Sequence, residues 1–243
     1  MNDDLRLALE LADLSDTVTL RHFRKPISIR TKTDGTPVSE ADEEVERAIR
    51  GRLERDRPDD AIVGEEFGSA GDAKRRWVID PIDATKNYIR GIPIFATLIA
   101  LDGFLGVVSA PALHLRWWAL RGGGAFRNGD PIRVSPVQSL EGAQIGYDSI
   151  TDFDEPEPFL ALVRRCGRAR GYGDFWTHMM VAEGAIEIAV EPRVALWDMA
   201  AVQVIVEEAG GRFSALDGRS RADAGSGLST NGRLHDAALA ALR

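Results

Sequence analysis

The stretch Trp77-Val78-Ile79-Asp80-Pro81-Ile82-Asp83-Ala84-Thr85-Lys86-Asn87 constrains this chain more than any other. An apolar run that stops at an acid predicts a buried strand delivering that acid to its edge, and Pro81, which has no N–H, is expected to end the ladder there. Asp83, Ala84, Thr85 and a short polar segment closed by Gly91 and Pro93 then carry the punctuation of a brief helix capped by Asp83. Two carboxylates beside the positive end of a helix make a place that holds a hard cation through oxygens and a phosphate through backbone N–H groups. In outline that is a phosphoryl-transfer pocket.

With 243 residues, 44% hydrophobic and 28% charged, the chain suffices for one large domain or two halves around a shared core. Its 30 Lys+Arg against 38 Asp+Glu leave a net charge of −8, which argues against a nucleic-acid backbone or an anionic membrane as the main partner. Cys166 has no second cysteine to pair with, and its Leu/Val-rich neighbours predict a small buried hydrophobe; a reducing cytoplasm is the expected location. Met1-Asn2-Asp3-Asp4 has no basic leader character, and the apolar run from Ile92 to Leu101 is too short to span a bilayer.

Along the chain, Leu5, Ala8, Leu9, Leu11, Ala12, Leu14 and Val18 recur at helical spacing and predict an amphipathic helix from Asp3 to about Phe23. After Pro26 an extended piece leads to a turn at Asp34-Gly35-Thr36-Pro37. Ser39 with Asp42 three residues on forms a capping-box signature for a second helix, so capping alone accounts for Asp42 at this level. Ala61-Ile62-Val63 is a short strand ending at Gly64-Glu65-Glu66-Phe67-Gly68. From Ile94 to Val134, apolar runs broken at Asp102-Gly103, Gly122-Gly123-Gly124 and Asn128-Gly129 predict an antiparallel meander. Beyond Ser135-Pro136 strand and helix alternate, ending with an apolar helix from Asp198 to Ala209, closed by Gly210-Gly211, and a last helix over Leu234 to Leu242. A boundary near residue 138 divides an N-terminal α+β half (1–138) from a C-terminal α/β half (139–243).

No acid in this series is decisive alone: Asp198 serves as a helix N-cap whatever its chemistry, and paired glutamates before a glycine are common in solvated loops. The ordered set is far more selective. Gly64-Glu65-Glu66, then Asp80-Pro81-Ile82-Asp83-x-Thr85, then Trp197-Asp198-x-Ala200 with Gly210-Gly211 behind it, resembles the inositol monophosphatase family from about Pro37 to Asn231. Arg116-Trp117-Trp118-Ala119, Lys86-Asn87 and Tyr172-Gly173-Asp174-Phe175 look most like its histidinol-phosphate phosphatase branch.

The resemblance implies an α+β fold layered α/β/α/β/α, a homodimer, and hydrolysis of a small phosphate ester with two or three Mg²⁺ ions. Carried over position by position, it assigns Glu65, Asp80, the Ile82 carbonyl, Asp83 and Asp198 to metal binding. Asp42 and Thr85, with Glu65, are implied to activate a water for in-line attack, and the Ala84 and Thr85 amides to hold the phosphate. Asp83, Asp174 and Glu191 are implied to face the leaving group, where acids suit the amine and imidazole of histidinol. Against that role, a helix N-cap explains Asp174 equally well.

The family usually carries glycine where this chain has Ala84. If glycine serves a positive φ there, alanine strains the turn; if it serves only for room, the Thr85 amide still functions. Two alternatives to histidinol phosphate hydrolysis stay open: turnover of inositol 1-phosphate or another small ester, and a metal-binding homologue silenced by Ala84. His22, His114, His178 and His235 lack metal-ligand spacing, so packing explains each.

Overall fold

The computed structural model describes residues 2–33 and 35–242. Asn2 accepts the Asp4 and Leu5 N–H groups and starts α1 (Asp3–His22). β1 (Ile29–Thr31) and β2 (Pro37–Ser39) pair antiparallel; Met1, of the N-terminal stretch without leader character, and Asp34, of the expected turn, lie outside the described residues. Ser39 caps α2 (Glu40–Asp56), with the Ser39 N–H donating to Asp42 Oδ2 at 2.8 Å as the capping box requires. β3 (Ala61–Gly64), β4 (Gly68–Ala70), β5 (Arg76–Asp83), the short α3 (Thr85–Ile89), β6 (Ala96–Leu101), β7 (Leu105–Ala110), β8 (Leu115–Leu120), β9 (Gly124–Arg127) and β10 (Asp130–Ile132) follow. Their eight strands form one sheet in the order β10-β9-β8-β7-β6-β5-β3-β4, with the expected hairpins between β6 and β10. The remainder comprises β11 (Gln144–Tyr147), α4 (Pro156–Arg165), β12 (Arg168–Arg170), α5 (Asp174–Ala182), β13 (Ile188–Glu191), α6 (Leu196–Glu208), β14 (Arg212–Ser214), β15 (Gly227–Thr230) and α7 (His235–Ala241). Here the strand order is β12-β11-β13-β15-β14.

Alternation along β5 explains the layering. Trp77 and Ile79 point to one face, where Leu11 of α1 and Val45, Ile49 and Leu53 of α2 cover them. Val78 points to the other, into a core built from Val202, Ile205 and Val206 of α6 and Phe175 and Met179 of α5. α6 buries Met199 to Val202 and Val204 to Val206, so apolar residues fall on most of its faces, which suits a helix between two sheets. It lies so close to the large sheet that a Cβ on Gly106 would sit 2.4 Å from the Ala201 carbonyl oxygen. On the outer side of the small sheet, Phe159 and Leu162 of α4 and Ala238 and Leu239 of α7 close a separate core. The layers are therefore α/β/α/β/α. Trp117 is buried toward α5 while Trp118 stacks on Phe126 from the opposite face, as strand alternation requires.

Two local expectations are corrected around Pro81. The ladder does not end there: Asp80 pairs with Leu98 and Asp83 with Ala96, so β5 spends one extra residue in a bulge that accommodates the missing N–H. Nor does Asp83 cap α3. Ala84 occupies the N-cap position, in the left-handed region at φ 65° and ψ 44°, without a side-chain cap. The conformation that glycine adopts freely is thus imposed on alanine. A left-handed alanine costs roughly 1–2 kcal/mol, while glycine loses roughly 0.5–1 kcal/mol more conformational entropy on folding. Ala84→Gly is accordingly expected to raise unfolding free energy by up to about 1 kcal/mol in urea titration; a loss of roughly 0.5–1 kcal/mol, the ordinary entropic cost of glycine, would show that the alanine is unstrained.

Candidate active site

Three carboxylates converge where β5 meets the start of α6. Asp80, Asp83 and Asp198 each offer an oxygen, and these oxygens lie within 4.8 Å of one another. The β5 bulge brings both strand acids to the same place, since Asp80 and Asp83 lie three positions apart and would otherwise point to opposite faces. Asp198 is the third residue of α6, not its N-cap as the sequence predicts; Ala195 is the cap, and its N–H donates to Asp198 Oδ2 at 2.6 Å. Asp83 Oδ2 accepts the Phe175 N–H of α5 at 2.8 Å, tying it to the C-terminal half. Asp80 Oδ1 is buried and accepts no hydrogen bond.

Burial pushes all three carboxyls upward. For Asp80 the neighbouring charges of Glu65, Asp83 and Asp198 add to it, and for Asp83 those of Asp174 and Asp198. Asp198 rises to about 6, tempered by the Ala195 N–H. An all-oxygen cluster with an orphaned buried oxygen suits a hard divalent cation, which relieves the repulsion that otherwise forces protons onto these acids.

The same cavity is lined by Glu65, Ile82, Ala84, Thr85, Asp174 and Glu191. Asp42 stands behind Thr85, whose Oγ1 lies 3.0 Å from the Ile82 carbonyl and 3.3 Å from Asp42 Oδ1. A hydroxyl has one proton to give, so Thr85 can serve only one of these acceptors at a time. Asp42 keeps its capping bonds to Ser39, and burial pushes it to about 6. The capping role and the position behind Thr85 coexist.

Glu65 stands apart from the trio. Lys32 Nζ donates to Glu65 Oε1 and to Glu66 Oε1, both at 2.7 Å. Burial works against the Lys32 charge, but the two glutamates outweigh it and raise its pKa. Beneath them Glu46, fully buried and paired to Arg50, accepts the Glu66 and Phe67 N–H groups at 2.7 and 3.2 Å and fixes the loop. Neither Lys32 nor Glu46 is singled out by any sequence motif.

On the far wall, Asp174 begins α5 but does not cap it; Gly173 is the N-cap, so the capping explanation for Asp174 falls away. Burial and the nearby Asp148 charge push Asp174 up to about 7. Asp148, which sequence reasoning missed, reaches this wall because Gly173 has no side chain: a Cβ there would lie 2.5 Å from the Asp148 nitrogen. Glu191, at the end of β13, is buried and likewise pushed upward, by burial first and then by Asp174 and Asp83. A larger cavity of about 450 Å³ elsewhere, between α1 and β8, contains the Asp16–Arg116 ion pair and not a convergent set of acids.

A model of the inositol monophosphatase family matches residues 2–243. The chain belongs to that family. It is 50% identical to the histidinol-phosphatase of Streptomyces coelicolor over 96% of this chain and 94% of the relative, and 48% identical to that of Mycobacterium tuberculosis over 99% and 98%. Its fold superposes on the Thermotoga maritima IMPase with a TM-score of 0.91 at 33% identity, covering 99% of this chain and 97% of the other. The protein is thus an inositol monophosphatase-family phosphatase whose acids occupy one cavity. Among the described residues no helix is long and apolar enough to cross a membrane.

The raised carboxyls make the metal-free stability of this phosphatase pH-dependent. An acid whose pKa is higher folded than unfolded stabilises the protein below its unfolded value, near 4, and that contribution is lost as pH rises through the folded value. With Asp42 and Asp198 at about 6 and Asp174 at about 7, the loss falls between about pH 4 and 8. In EDTA the melting temperature is expected to drop by about 5 °C or more from pH 5 to pH 8, and excess Mg²⁺ to restore it at pH 8. A melting temperature flat in pH and indifferent to Mg²⁺ would contradict the electrostatic reading.

Proposed function

We propose that the chain hydrolyses L-histidinol phosphate to L-histidinol and phosphate with Mg²⁺, two or three ions per site. The supporting observation is the two-walled cleft: Asp80, Asp83 and Asp198 on one side, and half-buried Asp174 with buried Glu191 on the other. The names borne by the Streptomyces and Mycobacterium relatives favour the same substrate.

Asp80, Asp83, Asp198, Glu65 and the Ile82 carbonyl are the groups that would hold the ions. When bound, Mg²⁺ supplies Lewis acidity at the phosphoryl group and offsets the charge of the acids. The chain's own contribution is positioning. Thr85 and Asp42 form a hydroxyl–carboxylate pair that takes up a proton from the attacking water, and an Asp42 pKa of about 6 makes that carboxylate a competent base near neutrality. With its hydroxyl turned to Asp42 in place of the Ile82 carbonyl, Thr85 frees that carbonyl for a cation. The Ala84 and Thr85 amides face the phosphate. The left-handed Ala84 retains the turn geometry expected of a glycine, which favours a working site over a silenced one. Asp83, Asp174 and Glu191 face the leaving group, where anions reward a cationic alcohol and penalise a neutral one. Family resemblance further leads us to propose a homodimer located in the cytoplasm.

A panel of phosphate esters with excess Mg²⁺ is expected to rank L-histidinol phosphate above inositol 1-phosphate in kcat/KM. Equal or faster turnover of inositol 1-phosphate would overturn the substrate assignment. Asp174→Asn is expected to lower kcat/KM for histidinol phosphate about 10–100-fold, the worth of a charge-assisted hydrogen bond, and to change it less than about threefold for inositol 1-phosphate. Equal losses would reduce Asp174 to a structural residue.

A further inference from the structure

His178 is fully buried on α5 and takes no part in the chemistry so far described. Its ring lies against the β13–β15 pair, where Ala189 is opposite Ser229 and Glu191 opposite Gly227. Because strand residues alternate, Ala189, Glu191, Gly227 and Ser229 share one face, and α5 covers it. The imidazole is anchored at one end: Nδ1 lies 2.7 Å from Ser229 Oγ. At the other end Nε2 lies 3.7 Å from Glu191 Oε1, and both atoms are buried with no other partner. Glu191 also lines the catalytic cavity, so the carboxylate bridges the ring and the cleft.

We propose that His178 is a positioning residue for Glu191: in its Nε2–H tautomer it faces the inward oxygen Oε1 and holds the carboxylate turned toward the cation of the leaving group. This rests on the reading that Glu191 receives that cation. Burial keeps the imidazole neutral, pushing it to about 3, so the ring carries one N–H. With Glu191 ionised, as its role toward a substrate cation requires, two arrangements are open to the ring. If Nδ1 carries the proton, the Nε2 lone pair is aimed at a carboxylate oxygen, an unfavourable pairing of two acceptors. If Nε2 carries it, Ser229 donates its hydroxyl proton to Nδ1, and Nε2–H faces Glu191 Oε1 across 3.7 Å, an attractive contact between an N–H dipole and an anion. A buried carboxylate with no donor on its inner side would turn or take a proton, and in either case would lose its value as an anion for the substrate.

Two measurements on the Mg²⁺-loaded enzyme test this. In ¹⁵N-histidine-labelled protein, the His178 signals, assigned by their loss in His178→Met, are expected to show a neutral ring protonated at Nε2 whose N–H shift moves in Glu191→Gln. An Nδ1–H ring, or an N–H shift indifferent to Glu191→Gln, overturns the proposal. In kinetics, the ratio of KM for histidinol phosphate to KM for p-nitrophenyl phosphate is expected to rise at least about tenfold in His178→Met, the worth of one charged hydrogen bond. His178→Gln, whose amide nitrogen can stand where Nε2 stood, is expected to recover most of it. An unchanged ratio, or no recovery with glutamine, also overturns the proposal. If Glu191→Gln itself leaves that ratio unchanged, the substrate reading of Glu191 falls, and the nuclear-resonance result still decides whether His178 holds it.

Discussion

Repulsion among Asp80, Asp83 and Asp198 sets the terms for this fold. Unit charges within 4.8 Å of one another at an effective dielectric near 20 repel by about 3 kcal/mol or more per pair, a large part of the net stability of an ordinary domain. The chain meets this cost with devices on three elements. The β5 bulge turns the two strand acids to the same side, the Ala195 N–H answers Asp198, and the Phe175 N–H answers Asp83. Nothing in the chain answers Asp80 Oδ1. What the backbone leaves unbalanced must be met by protons or by divalent ions, and the second choice is the one that yields a phosphatase.

Architecture and site are coupled through α6. The helix fills the space between the two sheets, so its direction is set by the largest apolar core, and Asp198 is carried on its first turn to the end of β5. α5 does the same for the opposite wall. Phe175 and Met179 seat it in that core, its first turn carries Asp174 and donates to Asp83, and His178 one turn on lies against Glu191. Hydrophobic packing thus places charged groups that would never assemble by themselves.

Much of this was legible in the sequence, for identifiable reasons. The helices α1, α2, α6 and α7 and the meander announce themselves by apolar period and by turn residues, and the ordered acids match a family whose layered fold the structure shows. What escaped were features that depend on partners distant in the chain. Lys32 between Glu65 and Glu66, Glu46 beneath the same loop, and Asp148 against Gly173 carry no local signature. Pro81 was misleading for a related reason: a missing N–H can end a strand or sit in a bulge, and only the pairing with β6 decides which. The sequence also left open whether Ala84 had lost a glycine's conformation or merely its space, and its left-handed backbone answers that.

Titration with Mn²⁺, followed by electron paramagnetic resonance of the free ion at pH 8, probes the organising role of the acids most directly. At least two ions are expected to bind per chain in the wild type, displaceable by Mg²⁺, and fewer in Asp80→Asn with the fold retained by circular dichroism. Wild-type protein that takes up no Mn²⁺, or an Asp80→Asn variant that binds as many ions as the wild type, would contradict it.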